Sequence, residues 1–318
     1  MTFTQRDTSK TKILLLGSTG QLGATLKPLL AERGELIPTD RTILDLGQPE
    51  WVGEFVRKHK PQVIVNAAAY TAVDRAESEP ELAQRINAAA PAALSMAAAE
   101  IGALLIHYST DYVFDGRKPS AYVESDPINP LNVYGRTKAE GEAAIQKSGC
   151  RHLICRTSWV YSERGSNFLL TMLRLARQRD ELRVVSDQVG APTSSHSLAR
   201  ATARIIDGYS LGDWGDRSSG IYHMVDSGST SWFGFASEIL QRASKVIGTP
   251  FPRVIPIPTS SYPTPATRPL NSQLSCEKLK STFSLIMPRW EDSLDEVLGE
   301  VKASGPVLEP QVSISRSF

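Results

Sequence analysis

The chain has 318 residues, 41% of them hydrophobic, enough to fill the core of one large or two ordinary domains. Its 35 Lys and Arg balance 34 Asp and Glu without a long like-charge block, so a nucleic-acid partner is excluded. No apolar run, "QVIVNAAAY" included, approaches the ~20 residues of a membrane span, and "MTFTQRDTSK" lacks a signal-peptide core, so a cytoplasmic protein without membrane contact is expected.

After a polar leader at residues 1–11, "KILLLG" has the length and apolarity of a strand, and "GATLKPLLAERG" has helical apolar spacing ending at Gly34. "ELIPTD" reads as a second strand, "EWVGEFVRKHK" as a helix and "PQVIVNAA" as a third strand. A long Ala-rich helix, "RINAAAPAALSMAAAEIG", then stops at Gly102. "ALLIHYST" is the next strand, the segment from Val133 opens a helix, and "HLICRTSWV" is a further strand. Alternating strands and helices define an α/β fold with a doubly wound, Rossmann-type parallel sheet.

The second half changes character, with prolines crowding "PFPRVIPIPTSSYPTPATRP" and helical patterns ("FLLTMLRLARQRD", "WFGFASEILQRASKVIG") separated by short strands ("LRVVSD", "GIYHMV"). The expected division is a dinucleotide-binding domain over residues 12–166 and a smaller mixed α/β domain over 167–302, with a flexible tail at 303–318. "GIYHMV" is a candidate return strand to the first sheet near residues 220–226. Cys150, Cys155 and Cys276 are odd in number and lack metal-ligand spacing, so they read as reduced packing residues.

Between the first strand and helix lies Gly17-Ser18-Thr19-Gly20-Gln21-Leu22-Gly23, a G-x-x-G-x-x-G pattern. Glycines there permit a tight turn and close approach of a pyrophosphate to backbone N–H groups at a helix N-terminus. Asp40 closes the second strand, where an acidic residue hydrogen-bonds an adenosine ribose, and Arg41 follows directly. Asp40 favours NADH by repelling a 2′-phosphate and Arg41 favours NADPH by attracting one, so either cofactor fits; a turn-capping Asp beside a solvated Arg is the alternative. The "LDL" segment at 44–46 places Asp45 and Leu46 near the adenine, or else is a surface loop.

Tyr134 and Lys138 stand four apart and share one helix face. A neighbouring ammonium stabilises phenolate and draws the Tyr pKa down toward working pH, which suits Tyr134 as the general acid for a carbonyl oxygen. "HYSTDYVFDG" sets Ser109, Thr110 and Asp111 at the carboxyl end of a strand, where ligands of parallel sheets collect, and Thr110 is a second hydrogen-bond donor.

This glycine spacing, the Thr after the fourth strand and Tyr-x-x-x-Lys resemble the extended short-chain dehydrogenases/reductases. "VIVNAAAYTAVDRAESEPELA", "HYSTDYVFDG", "PLNVYGRTKAEGE", "RTSWVY", "DQVGAPT" and "YPTPATRPLNS" are similar, within them, to the dTDP-4-dehydrorhamnose reductase family, from about Lys12 to Val301. The resemblance implies hydride delivery from the nicotinamide to C4 of a 4-keto-6-deoxy sugar on dTDP, with Tyr134 protonating the oxygen, Lys138 also binding the nicotinamide ribose and Thr110 orienting the carbonyl. It implies Ala67, Ala68 and Ala69 along the cofactor groove, although close packing explains an alanine run equally. Val73, Asp111, Trp159, Asn167, Gln188 and Arg268 follow as substrate-side residues, Trp159 against the sugar ring, Asn167 and Arg268 near the diphosphate.

Some members of that family dimerise through a divalent metal held by glutamates, whose places here are taken by Thr25, His196 and Glu291. One carboxylate is a poor site for a hard cation, so no metal and a monomer are expected. An epimerase or dehydratase of the same superfamily, retaining its cofactor, and a non-catalytic regulatory relative are the competing functions.

Overall fold

The computed structural model describes residues 11–215 and 218–303. The expected leader and tail lie, but for residues 11 and 303, outside the described residues. Six strands form one parallel sheet: β1 (Lys12–Leu16), β2 (Glu35–Thr39), β3 (Val63–Asn66), β4 (Leu104–Thr110), β5 (Arg151–Thr157) and β6 (Gly220–His223). Their spatial order is β6-β5-β4-β3-β1-β2. Successive residues of a strand face opposite sides, so a strand covered on both faces must be apolar throughout, which is why β1 reads as an unbroken run. Ile13 and Leu15 join Val63, Val65, Leu104 and Ile106 in one core, while Leu14 and Leu16 join Ile64, Leu105 and Ile154 in the other.

The first core is roofed by α1 (Gln21–Ala31) through Leu26 and Leu30, and the second by α2 (Pro49–His59) through Val52 and Val56 and by α3 (Ala90–Ile101) through Leu94, Ala97 and Ala98. The Ala-rich segment is not one uninterrupted α-helix. Arg85–Ala89 is a π-helical turn in which the Ala90 N–H reaches Arg85 O, and regular α-helix resumes at Ala90. Pro91 explains the position of the break, since it has no N–H to offer Asn87. The turn then receives α4 (Val133–Lys147), which approaches so closely that a Cβ on Gly141 would sit 2.2 Å from Asn87 O.

Beyond β5 lie α5 (Phe168–Ala176), α6 (Ser195–Leu211), α7 (Trp232–Ile247) and α8 (Trp290–Ala303). A separate core forms from Leu169 and Leu173 of α5, Phe235 and Ile239 of α7, Leu294 and Val297 of α8, and Leu182 and Val184 from a parallel ladder of Glu181–Val185 with Arg253–Ile257. Helix α6 instead packs Leu198 and Ile205 onto the first sheet core. The chain thus crosses between the two cores more than once. No described helix is long and apolar enough to cross a membrane.

Candidate active site

Strand β1 lies between β2 and β3, so the sheet order reverses beside its carboxyl end, the place where parallel sheets leave a crevice. The turn there is tight. Gly17 has φ +74°, and a Cβ on Gly23 would lie 1.9 Å from Gly17 O, so α1 starts directly against the turn. A Cβ on Gly17 would lie 2.9 Å from Ala68 N, which brings the Ala67–Ala68 main chain against the same turn. Gly20 caps α1 without a side-chain bond, and no acidic residue occupies the first turn, so the partial positive charge of this helix end is not neutralised locally. These features fit a nicotinamide dinucleotide: a cradle that side chains would fill, at a helix N-terminus. Thr19 is exposed and Ser18 is buried, with its N–H bound to Thr39 O at 2.9 Å.

At the far end of this groove Asp40 is drawn into its own turn. Its Oδ1 accepts from Thr42 Oγ1 at 2.6 Å, Thr42 N at 2.9 Å and Ile43 N at 3.3 Å, and the Thr42 hydroxyl is the largest influence lowering the carboxyl pKa. Arg41 is left 80% exposed, its Nε 3.8 Å from Asp45. Arg41, Thr42, Asp45, Gln48 and Trp51 surround a concave space. Leu46 turns inward and packs with Leu44 in the second sheet core.

The central constellation forms where α4 meets the end of β4. Asn132 caps α4, accepting from Gly135 N at 2.8 Å and donating to Thr267 O at 2.8 Å, which fixes Tyr134 and Lys138 one turn apart. Lys138 is wholly buried, and its Nζ donates to Tyr108 O at 2.6 Å. Burial pulls its pKa down to about 8 against the opposing charge of Glu142. Tyr134 is half-buried, edge-on to Tyr112 with ring centroids 5.6 Å apart. Burial pushes its phenol up to about 12, with the Thr110 hydroxyl pulling the other way. The expected lowering of the Tyr134 pKa is therefore reversed: desolvation outweighs it, and the Lys138 nitrogen is turned toward Tyr108 and His107.

Thr110 and Asp111 complete the cluster, both buried. Thr110 Oγ1 donates to Asp111 Oδ1 at 3.0 Å and accepts from Tyr112 N at 3.2 Å, while Asp111 Oδ2 and Ser109 Oγ have no protein partner. Burial raises the Asp111 carboxyl to about 7. Unpartnered buried polar atoms at a sheet's carboxyl edge are what a polar ligand would satisfy.

Arg268 lies near enough to Tyr112 to influence its charge. Its guanidinium holds Asp74 at 2.8 and 3.1 Å and the Ala266 carbonyl at 3.0 Å, beside Val73 in the short helix Val73–Ala76. Trp159 has φ +47° and lies flat on Trp232, centroids 3.6 Å apart, so one ring face is covered. Gln188 is buried and donates to Thr259 Oγ1 at 3.1 Å. Asn167 is brought to the glycine turn and not to Tyr134: it caps α5 at Leu170 N (3.0 Å) and donates to Gln21 Oε1 at 2.8 Å. Thr25 meets Ser195 at 3.0 Å, His196 meets Glu163 at 3.1 Å and Glu291 meets Arg289 at 3.0 Å. Among the described residues no cluster of three or more His, Cys, Asp or Glu could hold a metal ion.

Asn66, Asp74, His107, Glu142 and Arg156 also surround the site. Glu142 is signalled by sequence spacing, standing four residues past Lys138 on the same face. His107, Asn66 and Arg156 reach the site only through pairing of strands distant in sequence.

A reversal-point glycine turn beside a half-buried Tyr and a buried Lys and Thr defines a Rossmann-type extended short-chain dehydrogenase/reductase. Within that class, the chain belongs to the dTDP-4-dehydrorhamnose reductase family. The family model described as "RmlD substrate binding domain" matches residues 11–303. The dTDP-4-dehydrorhamnose reductase of Escherichia coli (strain K12) is 48% identical over 295 residues, covering 91% of this chain and 97% of that protein. Among solved structures, a dTDP-4-dehydrorhamnose reductase from Clostridium acetobutylicum superposes with a TM-score of 0.84 at 39% identity, covering 92% of this chain and 99% of that one. The Bacillus anthracis enzyme, solved in complex with NADP, has a TM-score of 0.84 at 35% identity with the same coverage.

Proposed function

We propose that this chain reduces the C4 ketone of dTDP-4-dehydro-L-rhamnose to dTDP-L-rhamnose in the cytoplasm, using NADPH or NADH, with Tyr134, Lys138 and Thr110 as its catalytic residues. The observation that carries the assignment is the meeting of Tyr134 and Lys138 of α4 with Thr110 of β4 beside the glycine turn. A bound reduced nicotinamide supplies the hydride. The protein supplies the proton and the placement of the ketone. A phenol held above its ordinary pKa stays protonated at neutral pH, so Tyr134 is ready to donate to the C4 oxygen. Thr110, whose hydrogen is directed at Asp111, rotates to give the second hydrogen bond, and Lys138 stabilises the phenolate that remains.

In this reading Gly17 to Gly23 and the start of α1 hold the pyrophosphate, and Ala67, Ala68 and Ala69 leave room along the groove. Asp40, Arg41 and Asp45 frame the adenosine end, with Leu46 behind them in the sheet core. Arg268 offers its guanidinium to the diphosphate, sharing it with Asp74. Val73, Asp111, Trp159 and Gln188 border the sugar nucleotide, and Asn167 contributes by tying Gln21 to the start of α5. Residues 12–166 with β6 form the cofactor half and 167–302 mainly the substrate half. Thr25 and His196 in place of two of the three glutamates, with Glu291 the one carboxylate left, support a monomer without a metal bridge.

The test is loss of reduced-nicotinamide absorbance with dTDP-4-dehydro-L-rhamnose, using NADPH and NADH separately. The parent oxidises nucleotide, while Tyr134→Phe still binds it and turns over ~10²–10⁴-fold more slowly. Folded parent protein that retains NAD through purification and consumes no added nucleotide would move the assignment to an epimerase or dehydratase.

A further inference from the structure

Lys138 Nζ lies 3.3 Å from His107 Nε2 as well as 2.6 Å from Tyr108 O. The other imidazole nitrogen, His107 Nδ1, lies 3.0 Å from Asn66 Nδ2. Asn66 and His107 are register partners across β3 and β4, so the sheet itself sets them side by side. Asn66, His107 and Lys138 are each 1% exposed, which leaves bulk solvent no access to these groups.

The proton inventory of this line is restrictive. The Ala68 N–H donates to Asn66 Oδ1 at 3.2 Å, which turns Asn66 Nδ2, a donor, toward the imidazole. His107 Nδ1 must then accept. A neutral imidazole that accepts at Nδ1 carries its hydrogen on Nε2, and that N–H points at Lys138 Nζ. An ammonium has no lone pair with which to receive it and an amine does, so this imidazole opposes the charged form of Lys138 without abolishing it, while either form keeps an N–H for Tyr108 O.

We infer that His107, oriented by Asn66, is a positioning residue that sets both the direction and the proton occupancy of Lys138. The inference rests on the reading of Tyr134 and Lys138 as the acid and its cationic partner. The titratable and charged groups around Lys138 are His107 on β4, Tyr134 and Glu142 on its own helix, and Arg156 on β5 behind Glu142. His107 is held neutral by burial and by Lys138, and burial likewise favours the amine form of Lys138. The Ala68 end of the line belongs to the cradle against Gly17, so the same hydrogen bonds connect the cofactor groove to the catalytic lysine.

The experiment is a pair of measurements on the whole chain. Nitrogen-15 NMR of the parent at neutral pH, with His107→Gln for assignment, should show His107 protonated at Nε2 and bare at Nδ1. A hydrogen on Nδ1, or an imidazolium, overturns the inference. The pH profile of kcat for parent and His107→Gln is the second measurement. The Gln carbonyl can accept from an ammonium, so the basic limb governed by Lys138 should move up by about one pH unit. A merely structural role would lower kcat equally at every pH, and an unmoved limb in an active variant overturns the inference. An inactive parent would defeat the acid-pair reading instead, and the tautomer would still decide where the His107 proton sits.

Discussion

Glu142 and Arg156 close on each other between α4 and β5 through hydrogen bonds of 2.9 and 2.6 Å, their side chains only 2% and 3% exposed. Glu142 stands one turn beyond Lys138, so this pair is the electrostatic floor of the site. Breaking a buried ion pair strands the surviving charge. Glu142→Leu or Arg156→Met alone should therefore lose ~3–5 kcal/mol of stability. The double replacement should recover much of it, because two desolvated charges disappear together. Urea unfolding of the three variants checks this; equal losses in single and double variants would show that packing dominates.

Asp111 makes stability depend on pH. Its carboxyl is raised in the folded chain to about 7 by burial, so between its unfolded pKa and that value the folded state binds more protons. Its contribution is complete below the unfolded pKa and is lost as pH rises through about 7. Asp111→Asn cannot ionise, so its melting temperature relative to the parent should climb from pH 4 to pH 8. A constant difference across that range would mean that Asp111 does not titrate in the fold.

Gly23→Ala tests the cradle. The added Cβ meets Gly17 O at 1.9 Å and Gly17 C at 2.7 Å, both backbone atoms that cannot move without opening the turn. Overpacking of this kind costs ~1–3 kcal/mol. The variant should also bind NADPH and NADH more weakly, as read by quenching of protein fluorescence. Parent-like affinity for both would place the dinucleotide elsewhere.

Cofactor choice divides between neighbours that the structure treats differently. The Asp40 carboxylate is occupied by the Thr42–Ile43 turn, whereas Arg41 faces open space beside Gln48 and Trp51. Arg41→Ala should therefore lower kcat/KM with NADPH about tenfold and leave NADH nearly unchanged, since only NADPH carries the 2′-phosphate. Asp40→Ala should shift both together through the turn. Equal losses with both nucleotides in Arg41→Ala would remove Arg41 from the discrimination.

Much of this protein was legible in one dimension because the relevant physics is local. The apolar runs at Lys12–Leu16 and Val63–Asn66, the Gly17 to Gly23 turn and the four-residue step from Tyr134 to Lys138 each lie within a single element or turn. Backbone periodicity and glycine sterics therefore write them directly into residue order. Tertiary structure alone decided what those residues meet. The return of Gly220–His223 to the sheet is expected from sequence, but its place beside β5, like that of α6 over the first core, required contacts between segments far apart in sequence. The same is true of Trp159 on Trp232 and of Asn167 on Gln21. Even the direction of the Tyr134 shift reversed, because spacing reports that a lysine is near but not that both groups lose their water. Desolvation and strand register are properties of the assembled sheet, and His107 reaches Lys138, with Asn66 behind it, only once β3, β4 and α4 have closed together.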